Sequence, residues 1–551
     1  MRRSTIAGVL AALVALPLTS ASGIAHSQGT ATVVPLAAQR PNMVLILMDD
    51  FSTELLRTMP QALRMKQEGA FYRNAFVVDS LCCPSRSALL TGQMPHQTGV
   101  LTNTPQDRAH PIGGYDAFVA HGNQKRTFNL ALQRSGYATG FVGKFLNMYD
   151  ADRVDGRLRP PPKVPGWTVW NAILGGGYSE WGFRSTWLDR DGNVRLADHP
   201  KPPAGASNAR KDDSYATRVA GDIAVRFLDA HRDAARPFFL EISTYGPHAA
   251  IKPAYRGDPA FPPAFRDRKT ATSPGNCGAV ACSRLTLRDL KGYDDPRGDN
   301  RPTYLLKGGA TRTAPAWRTN PVSLTAREAL ERYRSRARMV QSIDRLIAQV
   351  RRHVDPDTYI VLTSDNGFHL GQHQLNGGKG TPYDSDTRVP LVVIGPGVVP
   401  GARDQFVSNI DLAPTFEGLA GLPRPSYVSG RSFAPSLRDP RVAGNHFAFF
   451  EHTWSQSQPG EVDTDRQSGG TIDVIPSYVA VRGARGLLVR VDLDYSWRGH
   501  RYAWELYRYD RPWEDVNVFA EDHDKPYARE LRRRLLAFVG CGPLACREAA
   551  R

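Results

Sequence analysis

The apolar positions of this chain follow two periods, and their order predicts an α/β protein. Residues 42–48 (Asn-Met-Val-Leu-Ile-Leu-Met) and 359–364 (Tyr-Ile-Val-Leu-Thr-Ser) run without polar alternation, as a strand must when both faces of its sheet are covered. Extended runs are also predicted at 71–78, 137–145, 237–243 and 388–394. Helical spacing separates them, at 55–68, 128–135 and 215–231, with a further helix beginning at Asp411. Thr325-x-x-Glu328 is a capping box, and the helix it opens carries a core-facing stripe of Met339, Val340, Ile343, Leu346, Ile347 and Val350. Strands alternating with helices predict a large, mostly parallel central sheet flanked by helices. From about Asn445 the texture changes to short strand-like runs at 478–481 and 486–491 and a terminal helix at 525–538. This predicts a smaller C-terminal α+β subdomain, with residues 31–440 as the main domain and 441–551 as the appendage.

Two Pro/Gly-rich stretches, 151–208 and 256–319, interrupt the pattern. Long irregular segments are common homes for substrate-selecting loops. Trp167, Trp170 and Trp181 in the first could stack on a ring, although packing is the default reading of each. The second is expected to be a surface excursion pinned by its own cysteine pair.

Composition narrows the partners. In 551 residues, 41% hydrophobic and 23% charged content excludes global disorder. A net charge of +16 suits anionic partners. No zinc-finger spacing or aromatic RNA-binding signature accompanies it, so no nucleic-acid partner is predicted. Residues 1–30 begin Met-Arg-Arg, continue in an apolar run and end in small residues, the order of a secretory signal peptide. That run is too short to span a bilayer, so the expectation is a secreted or periplasmic protein without stable membrane insertion. Of six cysteines, Cys277/Cys282 and Cys541/Cys546 have C-x-x-x-x-C spacing. Two local disulfides are predicted, in an oxidising compartment. Cys82 and Cys83 are left over.

Two predicted strands, far apart in sequence, stop at oxygen-bearing side chains: Asp49-Asp50 and Asp365-Asn366. Ligands of open α/β sheets bind beyond the carboxyl ends of strands, and these donors suit Ca²⁺ or Mg²⁺. Either pair alone could be a cap or a turn. Cys82 precedes Arg86 at a predicted helix start, a positive field suited to anions, though two ordinary buried thiols remain an open reading. Arg86, Lys144, Lys379 and His248 are candidates to converge on a tetrahedral anion. His96 is read as structural, and His369 as structural or substrate-contacting.

The stretch Cys82-Cys83-Pro84-Ser85-Arg86, followed by Leu90-Thr91-Gly92, resembles the modification signature of the formylglycine-dependent sulfatases of the alkaline phosphatase superfamily. Asp365-Asn366-Gly367 and the motif order from Pro41 to about Leu437 extend the resemblance, and Glu505-Leu506-Tyr507 looks like the family's C-terminal subdomain. Gly143-Lys144-Phe145-Leu146-Asn147 and Gly367–Gln372 look most like N-acetylglucosamine-6-sulfatases. The resemblance implies an alkaline-phosphatase-like fold. It also implies that Cys82 is oxidised by a formylglycine-generating enzyme and that the aldehyde hydrate attacks the sulfur of a sulfate ester. Asp49, Asp50, modified Cys82, Asp365 and Asn366 would hold calcium. Arg86 would position the hydrate, while Lys144, His248 and Lys379 would bind sulfate or assist departure of the alcohol.

Two residues depart from the family pattern. Leu146 stands where the family has histidine, which leaves leaving-group protonation to His248, Lys379 or Asn147. Asp384 replaces a glutamate, which bears on the outer support of Lys379. The implied substrate is a sulfated small molecule or glycan, possessing a 6-sulfated amino sugar in the sharpest version. The alternatives are an arylsulfatase, a phosphonate or phosphate monoester hydrolase, and a non-catalytic sulfated-glycan-binding protein. Asn366, where a two-metal phosphatase wants histidine, favours one metal.

Overall fold

A computed structural model describes residues 40–104, 109–232, 234–269, 276–294, 301–317, 324–453, 475–494, 499–509 and 516–551. The expected signal peptide lies outside the described residues. Residues 40–551 form one compact unit.

Ten strands make the main sheet: β1 (Asn42–Met48), β2 (Ala70–Phe76), β3 (Ala138–Lys144), β4 (Val169–Ile173), β5 (Phe183–Leu188), β6 (Val194–His199), β7 (Phe238–Ser243), β8 (Thr358–Ser364), β9 (Val392–Ile394) and β10 (Gly401–Ser408). Their order is β10-β2-β9-β8-β1-β7-β3-β4-β5-β6. β1 is central and pairs in parallel with both β8 and β7. The missing alternation in β1 has a direct cause. Val44, Ile46 and Met48 face one apolar cluster, which holds Ile343 and Ile347, while Met43, Leu45 and Leu47 face another, which holds Leu89 and Phe416. Each face is covered by a helical layer, so every position is buried.

Four helices matter for the site: α1 (Cys82–Thr91), α2 (Ala216–His231), α3 (Ala326–His353) and α4 (Leu412–Leu419). The capping box of α3 forms, with Thr325 Oγ1 accepting from Glu328 N–H. Its predicted stripe is buried. The three tryptophans are buried as well, with Trp170 donating to Tyr149 Oη and Trp181 to the Lys211 carbonyl.

Some elements differ from the sequence reading. The helix expected over 55–68 is a 3₁₀ turn, Thr53–Thr58, followed by an α-helix, Pro60–Glu68. Met59 between them is extended, because a residue before proline disfavours helical backbone and Pro60 has no N–H to continue the ladder. The strand expected over 388–394 shrinks to β9, antiparallel to its neighbours, since Pro390 cannot donate within a sheet. The second Pro/Gly-rich stretch is more than a surface excursion. Cys277, Cys282, Leu285 and Leu290 enter the core beside β1, and Thr303–Leu305 and Thr311–Thr313 form two strands of the smaller, six-stranded sheet. The other four strands of that sheet are Phe447–His452, Tyr478–Gly483, Gly486–Asp492 and Tyr502–Arg508. Both predicted disulfides are present, Cys277–Cys282 and Cys541–Cys546. No helix among the described residues is long and apolar enough to cross a membrane.

Candidate active site

The carboxyl ends of β1, β8, β7 and β3 meet at one place. β1 delivers Asp49 and β8 delivers Asp365, both buried. Consecutive residues of a strand point to opposite faces, so Asp50 needs a turn to join Asp49. Its backbone supplies one, with φ of 57° in the left-handed region, which aspartate tolerates better than most residues. Asp50 N–H then donates to Asp365 Oδ1 at 3.2 Å. Asp49, Asp50 and Asp365 bring carboxylate oxygens within 4.8 Å of one another, and Asp49, Cys82 and His248 form a second such group.

α1 starts at Cys82, so its positive dipole end faces this cluster, although Pro84 has no N–H and the N–H groups of Cys83 and Ser85 are already bonded, to Asn103 Oδ1 and Leu81 O. At its other end Gly92, at φ 67°, closes the helix by donating to Ala88 O. The two cysteines, one residue apart, face different surroundings. Cys83 packs in the apolar cluster and its N–H donates to Asn103 Oδ1 at 2.8 Å. Cys82 Sγ lies 2.8 Å from Lys379 Nζ and 3.5 Å from Asp49 Oδ1. Burial pushes the Cys82 thiol well up despite Lys144 and Lys379, so the unmodified residue is a protonated thiol and a poor nucleophile.

The cations are buried with the carboxylates. Lys144 Nζ is 2.6 Å from Asp49 Oδ2, and Lys379 Nζ is 2.7 Å from Asp50 Oδ1. Lys144 is aimed by Gly143, where a Cβ would stand 1.8 Å from the Ser243 carbonyl oxygen and φ is 111°. No other residue fits there. Arg86 donates through Nε to Asp365 Oδ2 at 2.7 Å and through Nη1 to Lys144 O and Ser243 Oγ at 2.8 and 2.6 Å. It ties α1 to the ends of β8, β3 and β7. His248 lies beyond β7, its Nδ1 donating to Ala249 O at 2.6 Å and its Nε2 standing 3.6 Å from Asp50 Oδ2.

The electrostatics record crowded negative charge. Burial, with Asp365 and Asp50 adding to it, raises Asp49 to about 7 although Lys144 opposes. Burial would raise Asp50 too, but the Lys379 ammonium holds it below the carboxylate range. Burial pushes His248 down to about 3, with Asp50 opposing, so its imidazole is neutral. Two oxygens at the centre, Asp50 Oδ2 and Asn366 Oδ1, are buried without a hydrogen-bond partner. Asn366 Nδ2 donates to Asp50 Oδ1 at 2.6 Å, which fixes the amide orientation. Unpaired buried acceptors of this kind are costly unless something positive meets them. Oxygen donors beside three carboxylates fit a hard divalent cation.

Every predicted site residue is thus in this one cluster: Asp49, Asp50, Cys82, Arg86, Lys144, His248, Lys379, Asp365 and Asn366. Leu146 is buried among aromatic rings. Asp384 pairs with Arg482 at 3.1 Å. His369 is buried against Asp386, which also accepts from Thr381 N–H and Oγ1. His96 bridges Glu451 and the Cys541 carbonyl, a structural clamp.

Sequence reasoning passed over Arg336, which is fully buried mid-helix and donates to the Asp50 carbonyl and, at 3.0 Å, to Ser52 Oγ. A signal was available. Arg336 continues the apolar stripe by three residues before Met339 and seven before Ile343, where an unpaired charge would not be tolerated. Tyr178 was also missed, and its only signal is its place after three glycines.

A family model described as Sulfatase matches residues 41–422. The chain is 30% identical over 412 residues to a putative extracellular sulfatase Sulf-1 homolog of Caenorhabditis elegans, covering 73% of this chain and 50% of that protein. It is 30% identical over 414 residues to N-acetylglucosamine-6-sulfatase of Capra hircus, covering 73% and 64%. The chain therefore spans about half to two thirds of the length of these relatives. Among solved structures, a protein in complex with its substrate D-glucosamine-2-N,6-O-disulfate superposes with TM-score 0.61 at 20% identity, covering 90% of this chain and 97% of that one. The phosphonate monoester hydrolase of Silicibacter pomeroyi gives 0.61 at 19%, covering 91% and 95%. At these identities the structures speak to the fold alone.

Proposed function

Because the chain belongs to the sulfatase family, we propose that it hydrolyses sulfate monoesters at the cluster around residue 82. The observation that carries this is the meeting of Cys82 Sγ, Lys379 Nζ and Asp49 within 3.5 Å at the start of a helix. A tetrahedral anion placed beside that sulfur would lie among Lys144, Lys379, His248 and the positive dipole end of α1. Lys144 and Lys379 would neutralise sulfate oxygens, and Arg86 would hold the first turn of α1 against β8 while this happens. Asp49, Asp50, Asp365 and Asn366 would hold a calcium ion, which supplies Lewis-acid polarisation of the sulfate when bound. Residue 82, converted from cysteine to formylglycine by a maturation enzyme, supplies a hydroxyl nucleophile in place of the inert thiol.

The substrate class we infer is a 6-O-sulfated amino sugar in a glycan. Support comes from the names of the Capra hircus and Homo sapiens relatives, both N-acetylglucosamine-6-sulfatases, and from the Gly143–Asn147 variant. The two disulfides and the extracellular sulfatases among the relatives support export. Release of inorganic sulfate from 6-O-sulfated N-acetylglucosamine and from nitrophenyl sulfate, set against phosphate release from nitrophenyl phosphate, tests the reading. Sulfate release that is lost in Cys82→Ala is expected; preference for the phosphate ester would overturn it, and a panel response confined to aryl sulfates would overturn the sugar assignment.

A further inference from the structure

We propose that Tyr178 is a catalytic residue, its phenolic O–H donating a hydrogen bond to the bridging oxygen of the sulfate ester as the alcohol departs. The inference rests on the sulfatase reading above.

Leu146 is apolar and buried, so the turn after β3 brings no titratable group from that position. Tyr178 fills the neighbourhood from another element. It sits in the 3₁₀ turn Gly175–Ser179 after β4, and its ring packs on His248 at 4.6 Å and on Tyr245 at 4.7 Å between centroids. The Lys144 ammonium lies over the same ring, 4.9 Å from its centroid. Tyr178 therefore stands between two residues that flank the reacting anion.

The donor pattern gives the direction. Asn147 Nδ2 donates to Tyr178 Oη at 3.4 Å, so the phenol oxygen is the acceptor in that contact and its own hydrogen remains to be given. No acceptor for it is found among the described residues. Asn147 Oδ1 is buried without a partner beside it. His248 has spent its Nδ1 hydrogen on Ala249 O, and the two lysines face Asp49 and Asp50. Tyr178 is the neutral hydroxyl left to face the ester. Burial, with Asp49 adding to it and Lys144 opposing, pushes the phenol above its ordinary value, so it stays an O–H.

The step balances without ionising the tyrosine. The nucleophilic hydroxyl at residue 82 forms a bond to sulfur and gives its proton to the neutral imidazole of His248, within 4.8 Å of residue 82, which passes it on to the departing alcohol oxygen. The sulfur–oxygen ester bond breaks, its electron pair goes to the alcohol oxygen, and that oxygen takes up one proton. Tyr178 lends a hydrogen bond throughout and ends as it began.

Such a bond matters most where the departing oxygen carries most charge. A sugar alcohol is a poor leaving group and nitrophenolate a good one, so their responses separate. In the mature enzyme, Tyr178→Phe keeps the ring packed on His248 and Tyr245. Its kcat on 6-O-sulfated N-acetylglucosamine is expected to fall about 100-fold, and that on nitrophenyl sulfate by about 3-fold or less. Asn147→Ala should reproduce the same ordering with smaller losses. Equal losses on the two esters, or no loss on the sugar sulfate, would overturn the assignment of Tyr178. Wild-type protein inactive on both esters would instead overturn the reading beneath it.

Discussion

Replacing Arg86 by methionine tests whether the guanidinium is the strut of the site. Arg86 is 3% exposed and Asp365 is buried beside it, 2.7 Å away. Removing one partner of a buried pair costs about 3–5 kcal/mol, because the other charge stays behind. Ser243 Oγ and Lys144 O also lose their donor, which pushes the loss toward the upper end of that range. The sign of the pH dependence follows from Asp365. Burial raises its carboxyl, but Arg86 and Lys144 more than offset this and hold it below its ordinary value. A depressed carboxyl contributes stability that is present above the unfolded pKa and lost as pH falls. In the variant burial and Asp50 act against Lys144 and Lys379 alone, and the folded carboxyl takes up a proton more readily than the unfolded one. The deficit relative to wild type should therefore be largest near pH 8 and shrink toward pH 5. Urea unfolding in the presence of a chelator, so that cation binding does not contribute, reads this as a lowered midpoint at unchanged slope. Arg86→Lys keeps the charge but not the three-way reach, and should lose about half as much. A deficit below about 1 kcal/mol, or one independent of pH, would show that the pair only offsets its own desolvation and would refute the strut.

Four further outcomes follow from the same geometry. Gly143→Ala should lower soluble yield and activity together, because its Cβ would stand 1.8 Å from the Ser243 carbonyl oxygen; a wild-type melting temperature would contradict this. A wild-type His248, held down to about 3 by burial against Asp50, binds its proton less well folded than unfolded, so it costs stability as pH falls from about 6.5 toward 3; His248→Gln should flatten that part of the stability profile, and an unchanged slope would argue otherwise. Asp50→Asn should weaken divalent-cation binding by at least about 10-fold in calorimetry, with unaltered affinity counting against the ligand set. The Cys541–Cys546 bridge closes so short a loop that opening it is expected to cost only about 2 kcal/mol in urea unfolding, and a change near zero would contradict this.

Much of the site was legible because strand ends are legible. β1 betrays itself by lacking alternation, each neighbour facing a different core, and the acidic pair after it can only lie at the sheet's edge. Asp365-Asn366 after β8 follows the same logic. The parts that escaped depend on backbone or on distance. Nothing in the letters says that Asp50 takes the left-handed turn that unites it with Asp49. Strands Thr303–Leu305 and Thr311–Thr313 join a sheet whose other strands begin at Phe447, and such long-range pairing leaves no local trace. Met59 and Pro390 show the reverse, where proline chemistry present in the sequence cut short a helix and a strand that periodicity alone had drawn too long. Tyr178 reaches the site from a glycine-rich turn, where periodicity carries no information.

The central claim is that residue 82 is a converted cysteine acting beside a bound cation. Mass spectrometry of the peptide containing Leu81–Arg86, from active protein made in a host with the maturation enzyme, tests it most directly. The account predicts an aldehyde at position 82, trapped by a hydrazide reagent, in proportion to sulfatase activity, with Cys83 unchanged. Full activity in protein whose Cys82 is an intact thiol would contradict it.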